Sequence, residues 1–154
     1  MTYPDQGVAE AVAEFFEPVQ INTQDGTEET ATTVARFRQV WTPDIRMLDG
    51  DGVELYRWNG YLPPAEFLPQ LLAGRAHALL RSGRDHDAAD AYRDVLRRFP
   101  TSLVAPEAAY FTAVTAYRAS HEAPDLIDNW QRLQQRYPNS SWRLKQSFIE
   151  LPHD

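Results

Sequence analysis

The chain has 154 residues, 43% of them apolar and 24% charged, a balance that can build a core and excludes wholesale disorder. Its net charge of −7 argues against nucleic acid as a partner. No stretch reaches the ~20 apolar residues of a membrane helix and no basic-then-apolar leader opens it, so the chain as written reads as cytosolic. It has no cysteine, which excludes disulfides, thiolate metal sites and a cysteine nucleophile.

Asp5 can cap a first helix running to Phe16, with Val8, Val12, Phe15 and Phe16 on its apolar face. Pro18–Asn22 alternates apolar and polar residues, the period of a strand. Glu28–Phe37 reads as a second, short helix carrying Ala31, Val34 and Ala35. Two β-prone runs follow, Asp44–Leu48 and Val53–Trp58, separated by Asp49-Gly50-Asp51-Gly52, whose Asp-Gly pairs favour a hairpin turn. Gly60 breaks the second run, and Pro63-Pro64 opens a helix that Gly83 ends. That helix is expected to be shared by both halves of the chain, with Gly74 inside it at a cost of about 1 kcal/mol relative to alanine.

The second half repeats. Ala88, Tyr92, Val95, Phe99 and Pro100 recur 38 residues later as Leu126, Trp130, Leu133, Tyr137 and Pro138; Arg98 and Arg136 match at that offset, as do Ser102 and Ser140. Apolar steps of four, three and four mark one stripe of an amphipathic helix, and each aromatic–proline pair stops it. Asp85 can cap the first of these helices. A helix over Ala105–Ser120 and the one ending at Arg81 precede them, and Trp142–Glu150 reads as a short closing helix. Charge divides as the pattern does. Residues 1–72 hold 12 acids and 4 bases, residues 73–154 hold 10 and 11. This places one unit at 1–73 and a second at 74–154.

The helix–turn–helix unit, with Ala88, Tyr92 and Pro100 in its second helix, resembles the tetratricopeptide repeat in a longer-turn form. Val40–Leu71, with Thr42-Pro43 opening a strand, the Asp-Gly turn and Gly60 before a helix, resembles the back half of a thioredoxin-like domain; Tyr3–Asn22 resembles the helix and strand that follow its redox site. The resemblance implies an α/β plus all-α chain, a truncated thioredoxin-like domain followed by tetratricopeptide-like hairpins. It also implies a cis Thr42-Pro43 bond and a peptide-binding edge at Trp41, Thr42 and Pro43. The family's Cys-x-x-Cys and its preceding central strand would lie before Met1. No catalytic residue carries over, and no cofactor is implied.

The leading expectation is therefore a non-catalytic protein-binding or scaffold module. The alternative is a thiol–disulfide oxidoreductase whose Cys-x-x-Cys segment is absent from this chain. Without the central strand, Val12, Phe15, Phe16 and Phe37 are expected to expose apolar surface, and self-association or a bound peptide is expected to complete the sheet. Other chemistry is weaker. His86 between Asp85 and Asp87 could join a metal cluster, but acids at a helix start suit the dipole. The pairs Glu10/Glu14 and Glu28-Glu29 read as solvated faces, and Asp49–Gly52 lacks the rest of a calcium loop. No metal site is implied.

Overall fold

The computed structural model describes residues 5–148. It orders them as α1 (Gln6–Phe15), α2 (Glu28–Phe37), β1 (Asp44–Leu48), β2 (Glu54–Asn59), α3 (Pro64–Arg81), α4 (Asp85–Arg98), α5 (Ala105–Ser120), α6 (Ala123–Arg136) and α7 (Ser141–Leu144). Local chemistry accounts for most boundaries. The Asp5 carboxylate accepts from the Val8 amide at 3.0 Å and starts α1. Thr27 does the same for α2 through the Thr30 amide. In the hairpin turn, the Asp49 side chain accepts from the Asp51 and Val53 amides, and Gly52 takes the positive φ of 77°. The strands pair antiparallel, Ile45 opposite Trp58 and Met47 opposite Tyr56, with an irregularity after Met47.

The repeat is a structural one. α4 and α6 span residues offset by the same 38 positions, and both end at an aromatic residue of nearly identical backbone, Phe99 (φ −132°, ψ 54°) and Tyr137 (φ −127°, ψ 59°). The two cap amides reach Val95 and Leu133, again equivalent, at 2.8 Å each. α7 begins two residues before the position equivalent to the start of α5, is capped by Ser140, and packs on α5 and α6.

Four expectations need correction. Pro18–Asn22 is not a strand: it pairs with nothing and lies exposed, Val19 at 83% and Ile21 at 44%. Period-two patterning marks a strand only when a neighbour offers a ladder, and among the described residues the sheet has two strands, β1 and β2. The apolar face of α1 is covered rather than exposed. Val12, Phe15 and Phe16 pack against the core, and the Arg75 guanidinium sits 3.9 Å from the Phe15 ring centroid. Phe37 is half-buried under Arg36 and Arg46. Asp85 does not cap α4; Arg84 holds that position, its side chain bonding Asp87 rather than a helix amide, and Asp85 instead accepts from Arg118 of α5 at 3.0 Å. The closing helix stops at Leu144, and residues 149–150 of its expected span lie outside the described residues.

α3 is the spine. Phe67, Pro69, Leu71, Leu72, Ala73, Gly74, Ala76 and Leu79 are all buried along it, and it runs unbroken through the 73–74 position. It meets α1 on one side, the hairpin on another, and α4 and α5 on the third. One hydrophobic cluster therefore extends from Val8 and Met47 through α3 to Tyr92, Val95 and Ala108. Gly74 has a packing reason to be glycine. A Cβ there would stand 2.6 Å from the Met47 methyl and 2.6 Å from the Tyr56 ring, so the sheet rests directly on the helix backbone.

Candidate peptide-binding edge

Trp41, Thr42 and Pro43 lie in the segment that leads into β1. All three are exposed, Trp41 at 71%, and the preceding Val40 at 80%. The Thr42-Pro43 peptide bond is cis. The Gln39 side chain donates to the Trp41 carbonyl at 3.3 Å, and the Pro43 carbonyl accepts from the Gly60 amide at 2.9 Å, which starts the hairpin ladder. Because hydrogen-bonded pairs alternate in an antiparallel ladder, that bond makes Ile45 and Met47 face β2 and leaves the Asp44 and Arg46 backbone groups on the outer side. Among the described residues no hydrogen bond reaches the β1 backbone from outside the hairpin. On the far side of the sheet, Arg81 of α3 donates to the Leu55 carbonyl of β2 at 3.2 Å. The two edges are thus unlike: one is engaged by a helix, the other is open.

A charged cluster stiffens this edge. Arg46 donates to Asp44 at 2.8 Å, to the Phe37 carbonyl at 2.8 Å and to Glu54, while Arg57 approaches Asp44 at 3.2 Å. Burial works against the Arg46 charge, but Asp44 and then Glu54 outweigh it and hold the guanidinium above its usual range. Arg36 donates to the Gly52 carbonyl at 3.0 Å, so α2 is tied to the hairpin at two points, through the Arg36 side chain and through the Phe37 carbonyl that Arg46 bonds. These pairings have no signature in the sequence beyond the alternation of Asp44 and Arg46 on one face of a strand.

Behind the sheet lies a polar junction that sequence reasoning missed. The Tyr56 hydroxyl of β2 accepts from Gln70 of α3 at 2.7 Å and donates to Glu107 of α5 at 3.2 Å. His77 of α3 sits 3.2 Å from the Tyr92 hydroxyl of α4, with its ring between Tyr56 and Phe111. Burial raises the Glu107 carboxyl, with the Tyr56 bond and the Lys145 charge pulling it back. Burial, aided by Arg81, lowers the His77 imidazole. Burial, then the Glu107 charge, raises the Tyr56 phenol. The junction links the hairpin to the helical array through residues 51 positions apart, a separation at which no local pattern gives notice.

His86 lies at the start of α4, and among the described residues no three metal-capable side chains cluster. No family model, curated protein or solved structure matches the chain. What the fold defines is coarser: a mixed chain with seven helices among the described residues and one two-stranded antiparallel sheet. None of those helices is long and apolar enough to cross a membrane.

Proposed function

We propose that this chain is a non-catalytic protein-binding module in which β1 takes up an extended segment of a partner protein, with Val40, Trp41, Thr42 and Pro43 forming the apolar lip of the site. The observation that carries this reading is the open outer edge of β1 immediately after the exposed Val40 and Trp41. Strand addition would supply partners for the Asp44 and Arg46 backbone groups and cover exposed apolar side chains in one step. The helical repeats act as the rigid base, since α3 belongs to both the sheet's support and the array. The thioredoxin-like and tetratricopeptide-like resemblances belong to the same proposal: a redox-inactive thioredoxin-like domain fused to helical hairpins. Thiol–disulfide exchange has no thiol in this chain to run on.

A displayed library of seven-residue peptides selected on the full chain tests this. The reading expects enrichment of β-branched, extended sequences whose binding weakens about tenfold in Trp41→Ala. Absence of enrichment, or enriched peptides indifferent to Trp41→Ala, would overturn it. Light scattering across a concentration series separates a peptide partner from a second copy of the chain.

A further inference from the structure

The two aromatic–proline turns of the array enclose a groove of about 570 Å³ far from β1 in the chain. Its surface is mostly apolar, from Pro100 and Leu103 of the first turn, Pro106 at the start of α5, and Tyr137 and Pro138 of the second turn; Thr101, Ser102, Asn139 and Ser140 add small polar groups, and Arg136 is the charged residue lining it. The turns are locked together. The Tyr137 hydroxyl donates to the Pro100 carbonyl at 2.9 Å, and Ser102 and Ser140 each bond back to the aromatic residue of their own turn. Leu103 nevertheless stands 74% exposed at the mouth.

The charge of the groove follows from one substitution between the repeats. In the first unit Asp94 pairs with both Arg97 and Arg98. At the equivalent position, 38 residues later, stands Arg132. Arg136, the counterpart of Arg98, therefore loses its carboxylate and gains a like-charged neighbour one turn away on α6. Among the described residues neither Arg132 nor Arg136 has an ion-pair partner, and Arg143 donates to the Pro138 carbonyl at 3.3 Å on the same side. Of the acids near the first turn, Glu107 is turned to Tyr56, while Glu66 accepts from the Leu103 amide at 2.9 Å and places its charge on the Leu103 side of the groove, which leaves the Arg136 end as the cationic one. Apolar walls of proline, leucine and tyrosine beside Arg136, which lies 5.5 Å from the Tyr137 ring centroid with no carboxylate partner among the described residues, complement one kind of ligand.

We propose that this groove binds an extended acidic peptide, seating a proline or leucine against Pro100, Leu103, Tyr137 and Pro138 and a carboxylate against Arg136, as a site separate from the β1 edge. Proline-rich and extended segments suit such a trough because little chain entropy is lost on docking. The carboxylate–guanidinium pair supplies direction and partner choice.

The test is fluorescence anisotropy with the full chain and a labelled eight-residue peptide of glutamate, leucine and proline, against its counterpart with lysine for glutamate. The acidic peptide is expected to bind at least tenfold more tightly, and to lose about tenfold in Arg136→Gln and in Leu103→Ser, both exposed positions. Arg93→Gln, on the far repeat, and Trp41→Ala are expected to leave it unchanged, so failure here and failure of the β1 site are distinguishable. Equal binding of the two peptides, no binding of either, or indifference to Arg136→Gln would overturn the proposal.

Discussion

Gly74→Ala sets two effects of known size against each other. Alanine is the better helix former by about 1 kcal/mol in a helix interior, so propensity alone predicts a more stable protein. The added Cβ, however, would stand 2.6 Å from both the Met47 methyl and the Tyr56 ring, with a further ring atom at 2.9 Å. The Met47 end can swing aside. The Tyr56 ring is held, since its hydroxyl is bonded to Gln70 and Glu107. The hairpin must therefore back away from α3, an overpacking cost of about 1–3 kcal/mol. The net expectation is destabilisation by about 1 kcal/mol, a fall in Tm of roughly 2–4 °C for a chain of this size. Urea and thermal unfolding followed by circular dichroism would measure it. An unchanged or raised Tm would refute the claim that the sheet rests on the backbone at Gly74.

Arg46→Ala leaves Asp44, whose side chain is 5% exposed, with Arg57 alone; the expected loss is about 3 kcal/mol, read as a Tm drop of roughly 6–12 °C. Tyr137→Phe removes the bond to the Pro100 carbonyl and is expected to cost about 1 kcal/mol in chemical denaturation. Glu107→Gln keeps an acceptor for Tyr56 and removes a titrating group whose folded pKa is raised by burial. A raised carboxyl contributes stability that is complete below its unfolded pKa and is lost as pH rises through the folded value. The stability of Glu107→Gln relative to the parent is therefore expected to increase as pH rises above the ordinary glutamate range of about 4, and a pH-independent difference would contradict the burial of this carboxyl.

Sequence pattern sufficed wherever the signal was local. The 38-residue echo, the aromatic–proline stops, the Asp49–Gly52 turn and the Asp5 cap each rest on neighbouring residues, and the structure places helices and strands accordingly. What failed depended on distant partners. Pro18–Asn22 carries a strand's alternation but has no strand to pair with. Asp85 has a capping residue's chemistry, yet Arg118, 33 residues away, claims it. The exposure expected for Val12, Phe15 and Phe16 assumed that only a sheet could cover α1, whereas α3 does so. Gly74 looked like a tolerated cost because the ring of Tyr56 that approaches it belongs to another element. Family resemblance alone put Trp41 forward for a peptide-binding edge, and its exposure has no pattern of its own in the sequence, while the Tyr56–Glu107 junction had no local signal at all.

Amide hydrogen exchange along β1, in the free chain and with a selected peptide bound, tests the central claim most directly. In the free chain at low concentration, Ile45 and Met47 are expected to exchange slowly through their bonds to β2, while Asp44 and Arg46 exchange much faster. Peptide binding is expected to slow Asp44 and Arg46 selectively. If those two amides are already as protected as Ile45 and Met47 in the free monomer, or if binding leaves them unchanged, the edge is not open and the proposed strand addition does not occur.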